Sequence, residues 1–100
     1  IFKNKPVIVA TQLKDKNSVE FFRIISKITD HLIVTQVRDE RAKSAKVLGE
    51  EAKQFIKNVE VFEKSEDAFK RAIEISDFIV VTGSLYLLGE FEEWFSKMQL

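Results

Sequence analysis

A chain of 100 residues is long enough for one domain with a single core and short for an enzyme that handles several substrates. Hydrophobic residues make up 45% of it, beside three Gly and one Pro, which indicates a globular chain rich in regular structure. The 16 basic and 16 acidic residues balance, so no net field favours nucleic acid or an anionic membrane as a partner.

Residue types and segments that the sequence lacks restrict the cellular compartments in which the protein is expected. There is no Cys, which excludes disulfides and Cys-ligated metal and fits a reducing compartment, so we expect a cytoplasmic protein. The apolar runs are far shorter than a membrane span, and the amino end lacks the apolar core of a signal peptide. The opening IFKNKP is typical of a helix end before a strand, so we expect a piece of a longer protein.

The first half of the chain predicts two strand–helix units. The continuous apolar run Val7–Ala10 is typical of a strand buried on both faces of a parallel sheet. Asn17 can cap the following helix, and Glu20 can complete a capping box. The second run, Leu32–Thr35, is also continuous. The predicted buried positions of the two helices are Phe21, Ile24, Ile25 and Ile28, then Ala45, Leu48, Ala52 and Phe55.

The second half predicts two further units. The run Val59–Phe62 alternates and is therefore expected nearer a sheet edge, whereas Phe78–Val81 is continuous like the first two. Ser65, with Glu66 and Asp67 behind it, is expected to cap the third helix. The predicted buried positions are Phe69, Ala72 and Ile73 in the third helix and Leu87, Phe91, Trp94, Phe95 and Met98 in the fourth. The polar side chains expected to point away from that last stripe are Glu90, Glu92, Glu93 and Lys97.

Four strand–helix units in succession define the fold class. They predict an α/β, Rossmann-like three-layer domain with a mainly parallel sheet of at least four strands in βαβαβαβα order. No linker or low-complexity stretch divides the chain, so residues 1–100 are expected to form a single domain.

Candidate site residues lie in the loops that follow the strands, because ligands of open parallel sheets bind beyond the carboxyl ends of the strands. One loop carries Lys14 and Lys16, and another carries Arg38 and Arg41, so a phosphate or carboxylate could be held between them. The tight turn Thr82–Ser84 ends the last strand and would place helix amides against a ligand.

Each candidate also has a structural interpretation. Loop cations are commonly only solvated. Gly83 is equally compatible with a positive-φ turn and with close approach of a ligand. Ser84 can be an N-cap, and Tyr86 can simply cover the first helical turn. His31 precedes a strand and therefore falls at the end opposite the crevice, where a structural role is expected.

Several catalytic motifs are absent from the sequence. There is no GxxxxGK[ST] or GxGxxG loop, no HxxxH or CxxC pair and no acidic loop with metal spacing. No Ser/His/Asp set can be assembled at the loops. We therefore predict no catalytic residue and no metal ligand in this chain.

Three stretches carry a family resemblance. The ending DFIVVTGSLYLLGEF, residues 77–91, resembles the closing strand, turn and helix of folylpolyglutamate synthases and dihydrofolate synthases. VIVATQLKDKN resembles the family's strand and LxDKD loop, with Asn17 in place of the second Asp. HLIVTQVRDERA is similar to the strand and PRA loop that follow, with Glu40 where proline is common. The order and spacing agree over essentially the whole chain.

This resemblance implies the C-terminal domain of a Mur-ligase-type enzyme, which closes over and packs against a central ATP-binding domain. The central domain and the family's first strand–helix unit would precede Ile1. ATP and Mg would therefore bind mainly outside this segment, which by itself is expected to be inactive. In the parent enzyme, ATP would phosphorylate a γ-carboxylate of the folate, and the amine of L-glutamate would attack the acyl phosphate.

The resemblance also assigns substrate-binding residues. Lys16 would pair with a carboxylate of the incoming amino acid, Ser84 and the helix amides would hydrogen-bond it, and Gly83 would leave room for it. The full set is Asp15, Lys16, Gly83, Ser84, Tyr86 and, with a departure at the preceding Glu40, Arg41.

Two other interpretations remain open from the sequence. One is a Mur-superfamily ligase that adds another amino acid, although the TGSLY turn favours the folate enzymes. The other is a free-standing α/β module whose crevice holds a small anion or a partner loop. An upstream reading frame that contains a phosphate loop would favour a ligase, whereas a start codon near Ile1 would favour the module.

Overall fold

The structure, a computed structural model, describes residues 4–98. The predicted alternation of strands and helices is confirmed. The elements are β1 Val7–Ala10, α1 Ser18–Ile25, β2 His31–Thr35, α2 Ala45–Ala52, β3 Asn58–Phe62, α3 Ser65–Ile75, β4 Ile79–Thr82 and α4 Leu85–Met98. None of the helices within residues 4–98 is long and apolar enough to cross a membrane.

The four strands form one parallel sheet in the order β3-β2-β1-β4. The chain moves outward from β1 to β3 and then returns to the other side of β1 for β4. Because parallel crossovers are right-handed, this reversal changes the face that the helices cover. The predicted Rossmann-like three-layer α/β class is confirmed.

Two hydrophobic cores lie on the two faces of the sheet, and β1 contributes to both. Ile8 and Ala10 pack with residues of α1 and α2, whereas Val7 and Val9 pack with residues of α3 and α4. This division follows from the two-residue period of a strand. The apolar run in β1 is continuous because neither face of that central strand meets water.

The two edges of the sheet differ from each other. β3 lies at one edge, as its alternating sequence predicts. β4 lies at the other edge, and all four of its residues are only half-buried. The expectation that this last strand is buried on both faces is therefore wrong for the described chain, because an apolar run records local composition and not the number of neighbouring strands.

Helix α1 begins where the sequence predicts, and most of its predicted apolar stripe packs against the core. The Asn17 side chain accepts a hydrogen bond from the Glu20 amide at 3.1 Å, which confirms the cap. The Glu20 carboxylate pairs with Arg23 instead of completing a capping box. Phe22 is fully buried, whereas Ile24, predicted to be buried, is 49% exposed. Ile25 is buried, and Phe21 and Ile28 pack against the same core, so the predicted stripe is wrong at Ile24.

Helices α2 and α3 confirm their predicted stripes in part. In α2 the buried positions include Ala45, Leu48 and Ala52, and Phe55 is half-buried. In α3, Ile73 is exposed. Ser65 does not cap α3: Lys64 occupies the N-cap position without a side-chain bond, and the Ser65 hydroxyl donates to Glu90 at 2.6 Å. The Ser65 hydroxyl therefore bonds a carboxylate on α4 instead of an amide of its own helix.

Helix α4 buries only part of its predicted apolar face. Leu87 is fully buried, and Phe91 and Trp94 contact the ring of Phe69, with centroids 5.1 and 5.6 Å away. Phe95 and Met98 are exposed, contrary to the prediction. The sheet ends at β4, so the side of α4 that faces away from α3 has no described element to pack against.

His31 lies at the amino end of β2, away from the crevice, as predicted. Its Nε2 lies 2.5 Å from Glu60, which also accepts a hydrogen bond from Arg71 at 2.9 Å. Partial burial opposes ionisation of Glu60, but the hydrogen bonds from His31 and Arg71 outweigh it and hold the pKa of Glu60 below its usual value. These contacts fasten the edge strand β3 to β2 and α3.

Substitution of Phe22 tests which face of α1 meets the core. Phe22→Ala should lower the free energy of unfolding by about 3–5 kcal/mol, because it leaves a cavity in a fully buried site. Ile24→Ala, on the same helix, should cost less than about 1 kcal/mol. Chemical denaturation measures both changes, and equal losses would contradict the orientation of the helix.

Candidate functional site

The ligand crevice of this fold is defined by the point where the strand order reverses. That point lies between β1 and β4, whose following helices cover opposite faces of the sheet. The loops that border it are residues 11–17 and 83–84. The topology therefore brings together the two loops that carry Lys16 and Ser84, although they are far apart in sequence.

The turn at Gly83 packs tightly on the end of β1. Gly83 has a φ of 103°, a conformation that disfavours side chains. A Cβ added to it would overlap the carbonyl oxygen of Thr11 and lie 3.1 Å from its carbonyl carbon. Gln12 Nε2 donates to the Gly83 carbonyl at 2.8 Å. The space beside Gly83 is therefore occupied by the neighbouring backbone. This packing explains why the position requires a glycine.

A pocket of about 260 Å³ opens between these two loops. Ser84 accepts a hydrogen bond from the Tyr86 amide at 3.1 Å and so caps α4 at the edge of the pocket. Lys16 makes no ion pair within residues 4–98, so its charge is available to a ligand. The positive end of the α4 dipole adds to that charge. The lining residues are Leu13, Lys16, Gly83, Ser84, Leu85 and Tyr86.

Arg41 contacts the pocket wall from outside. Its guanidinium donates to the Tyr86 hydroxyl and lies 4.9 Å from the ring centroid. Asp39 orients it by accepting from the Arg41 amide at 2.9 Å and from Nε at 3.1 Å. The backbone hydrogen bond first, and then the one from the guanidinium, lower the pKa of Asp39. Arg41 is thus held beside Tyr86 without lining the pocket.

Arg38 points to a different part of the rim from Arg41. Its guanidinium lies 3.6 Å from both Glu66 and Glu93 and 3.9 Å from Glu90. Glu90 also accepts the Arg38 amide at 2.8 Å and is only 11% exposed. The expectation that Glu90 points away from the packed face is therefore wrong. Arg38 pairs with these carboxylates and does not line the pocket beside Lys16.

The remaining polar groups of the rim vary in accessibility. Asp15 is exposed on the turn beside Lys16, outside the pocket lining, and has no side-chain partner within residues 4–98. The hydroxyls of Thr11 and Thr35 are buried without a hydrogen-bond partner in the described chain. In that same part of the chain, no group of three or more His, Cys, Asp or Glu could hold a metal ion.

Sequence reasoning missed several contributors to this site. Leu13 and Leu85 line the pocket, and Gln12 fixes the turn opposite. The repeated Thr-Gln pair at the ends of β1 and β2 was a usable pattern, because Gln36 has a comparable task and accepts the Ala45 amide at 2.9 Å. Gln12 thus links the end of β1 to the turn before α4, and Gln36 links the end of β2 to the start of α2.

Fold and site together define a Rossmann-type α/β domain with a small, cationic pocket at the topological switch point. Comparison with protein-family profiles and with curated proteins finds no match. Comparison with solved structures finds folylpolyglutamate synthases. The chain is 37% identical to that of Thermotoga maritima, with a TM-score of 0.76, and the match covers 95% of this chain and 22% of that one.

Two further structures show the same fold at lower identity. Mycobacterium tuberculosis folylpolyglutamate synthase complexed with ADP and AMPPCP is 24% identical, with a TM-score of 0.82 over 91% of this chain and 23% of that one. E. coli FolC in complex with DHPP and ADP is 18% identical, with a TM-score of 0.85. That match covers 100% of this chain and 24% of the E. coli chain. The chain spans about a quarter of the length of these proteins, and its resemblance to folylpolyglutamate synthases is confirmed.

Substitutions at two glycines test the packing of the turn. Gly83→Ala should destabilise the fold by more than about 2 kcal/mol, because the methyl group meets backbone and φ is unfavourable. The control Gly89→Ala lies in α4 with open space around it and should stabilise by about 0.5–1 kcal/mol. Thermal unfolding measures both, and a neutral Gly83→Ala would contradict the tight contact with β1.

Proposed function

We propose that this chain is the C-terminal, substrate-closing domain of an ATP-dependent ligase that adds L-glutamate to folates. The observation that carries the proposal is the shared pocket of Lys16 and Ser84 at the switch point. It occurs in a chain that is 37% identical, over 95% of its length, to part of a folylpolyglutamate synthase. The cytoplasm, which the Cys-free sequence favours, is the proposed location.

The charges around the pocket suit an amino acid with two carboxylates. Lys16 would pair with one carboxylate, and the amides that begin α4 would approach the same ligand, with Ser84 at their edge. The carboxylate of Asp15 would attract the ammonium group from the solvent side. Tyr86 would form the wall, and Arg41 behind it would add positive potential.

The size of the pocket supports a division of tasks between domains. About 260 Å³ is below the range of about 300–1,000 Å³ typical of drug-sized ligands, so it suits one amino acid better than a folate. In the proposed reaction, the glutamate amine attacks an acyl phosphate on the folate, forms the amide and releases phosphate. ATP, Mg and the folate would bind mainly to other parts of the parent enzyme.

The rim offers a surface for the proposed central domain. Leu85 is 84% exposed at the first position of α4, next to the pocket. A leucine so exposed beside a polar pocket is suited to packing against another domain, which would also exclude water from the reacting groups. This domain contributes positioning and electrostatics to the reaction, and no catalytic residue.

We also propose that a strand–helix unit of the parent lies beside β4. The sequence of β4 is as apolar as that of a central strand, yet the strand lies at an edge and carries no charge that would discourage further pairing. Phe95 and Met98 of α4, the helix that follows β4, are also exposed. The family resemblance implies a first strand–helix unit of the domain that would fit there.

The alternatives fit the observations less well. A Mur-superfamily ligase for a different amino acid would use the same fold, but the identity to the Thermotoga maritima enzyme favours folate. A free-standing anion-binding module would need no second domain, and it leaves the exposed Leu85 and the open β4 edge without a role.

Lys16→Ala in the enzyme expressed from the full reading frame tests the glutamate site. The KM for L-glutamate should rise roughly 10- to 100-fold, because a charge-assisted hydrogen bond worth about 1.5–3 kcal/mol is lost. The KM for ATP should stay within about twofold. Lys14→Ala is the matched control, since Lys14 lies on the same turn but does not line the pocket.

Two kinetic results would contradict the role of Lys16. Unchanged glutamate kinetics in Lys16→Ala would remove Lys16 from the site. Glutamate-dependent ligation that is lost equally in Lys14→Ala would indicate a diffuse charge effect instead of a pocket.

Amide hydrogen exchange tests the missing neighbour of β4. A chain extended upstream should protect the outward-facing amides of Ile79–Thr82 by about tenfold or more, since a paired edge must open before it exchanges. The amides of Asn58–Phe62 in β3, at the opposite edge, should be unaffected. Equal exchange of β4 in both chain lengths would refute the added strand.

A further inference from the structure

Three consecutive residues of the β2–α2 loop contact the pocket walls or the helix that follows one of them. The Arg41 carbonyl accepts the Lys14 amide at 2.9 Å, and Ala42 forms an isolated antiparallel bridge with Leu13. The Arg41 side chain reaches the opposite wall at Tyr86. None of residues 41–43, which we name the brace, lines the pocket.

The third residue of the brace, Lys43, makes the most enclosed polar contacts. Its Nζ donates to the Ser18 hydroxyl at 2.7 Å and to Glu51 at 3.0 Å. The Ser18 hydroxyl in turn donates to the other oxygen of Glu51 at 2.6 Å. Ser18 is 2% exposed, and the side chains of Lys43 and Glu51 are largely buried. The three groups form a closed network that satisfies each of them.

This network is attached to the turn that carries Lys16. Ser18 is the first residue of α1, and its amide donates to the Lys16 carbonyl at 3.0 Å. The Lys16 amide donates to the Leu13 carbonyl at 3.1 Å. The turn therefore has two fixed points, the Ser18 network and the bridge of Leu13 to Ala42, and Lys16 lies between them.

We propose that Lys43 is a positioning residue for the amino-acid pocket, an inference that rests on the proposed function of Lys16. Lys43 bonds both Ser18 and Glu51, which are also bonded to each other, and so ties the brace to the start of α1 and sets the position of the Lys16 ammonium group. Loss of the Lys43 charge leaves a buried hydroxyl and a largely buried carboxylate without their cation. Those groups must then rearrange toward water, and the turn moves with them.

Lys43→Met in the enzyme from the full reading frame tests this role, because methionine keeps much of the apolar stem and removes the charge. The KM for L-glutamate should rise about tenfold, as small misplacements of a binding group weaken it, while the KM for ATP stays within about twofold. Lys43→Arg should restore most of the affinity. The matched control is Lys46→Met, an exposed lysine of α2, which should change neither constant.

The possible outcomes separate this inference from the proposed function. If Lys16→Ala raises the KM for glutamate and Lys43→Met does not, the positioning role is wrong and the pocket stands. If Lys16→Ala has no effect, the glutamate-binding role of Lys16 is wrong, and the positioning role of Lys43 is overturned with it. Should Lys43→Met not fold, Ser18→Ala decides, because it breaks the same link with a smaller change: a tenfold rise in the glutamate KM supports the role, and wild-type kinetics overturn it.

Discussion

The close contact between the Gly83 turn and the end of β1 is the constraint on which the pocket depends. Only a residue without Cβ can place this backbone against Thr11, and the Gln12 side chain then holds the Gly83 carbonyl. The contact sets where α4 begins, and therefore where Ser84, the α4 dipole and Tyr86 stand relative to Lys16. A looser turn would separate the two walls and leave two unrelated surface loops.

The rim of the sheet separates its charges by side. Toward β3, Arg38 is surrounded by carboxylates, and Glu90 joins the β2–α2 loop to the start of α3. Toward β4, Lys16 has no acidic partner in the described chain, and Arg41 is oriented against an aromatic ring. The charged side chains of the rim are therefore unevenly distributed, although the net charge of the chain is zero.

The same loop that carries these arginines also supports the pocket. Arg41 and Ala42 contact the turn of Lys16 through their backbone, and the Arg41 side chain contacts the wall at Tyr86. A site built from loops needs such support, because a long lysine side chain on a mobile turn loses the entropy advantage of a fixed position. In the proposed ligase, the Lys16 side of the pocket would therefore be in position before the central domain packs against it.

The sequence by itself determined what local chemistry controls: the four apolar runs, the alternation of β3, the Asn17 cap, the Gly83 turn and the family resemblance. Each depends on neighbours within a few residues, or on a short motif made of them. Only the tertiary structure decided which positions of each helix are buried: Phe22 is enclosed, whereas Ile24, Phe95 and Met98 are exposed. It alone also showed that Glu90 is enclosed and that Lys43 reaches Ser18, because these partners lie 25 or more residues away and no spacing rule encodes them.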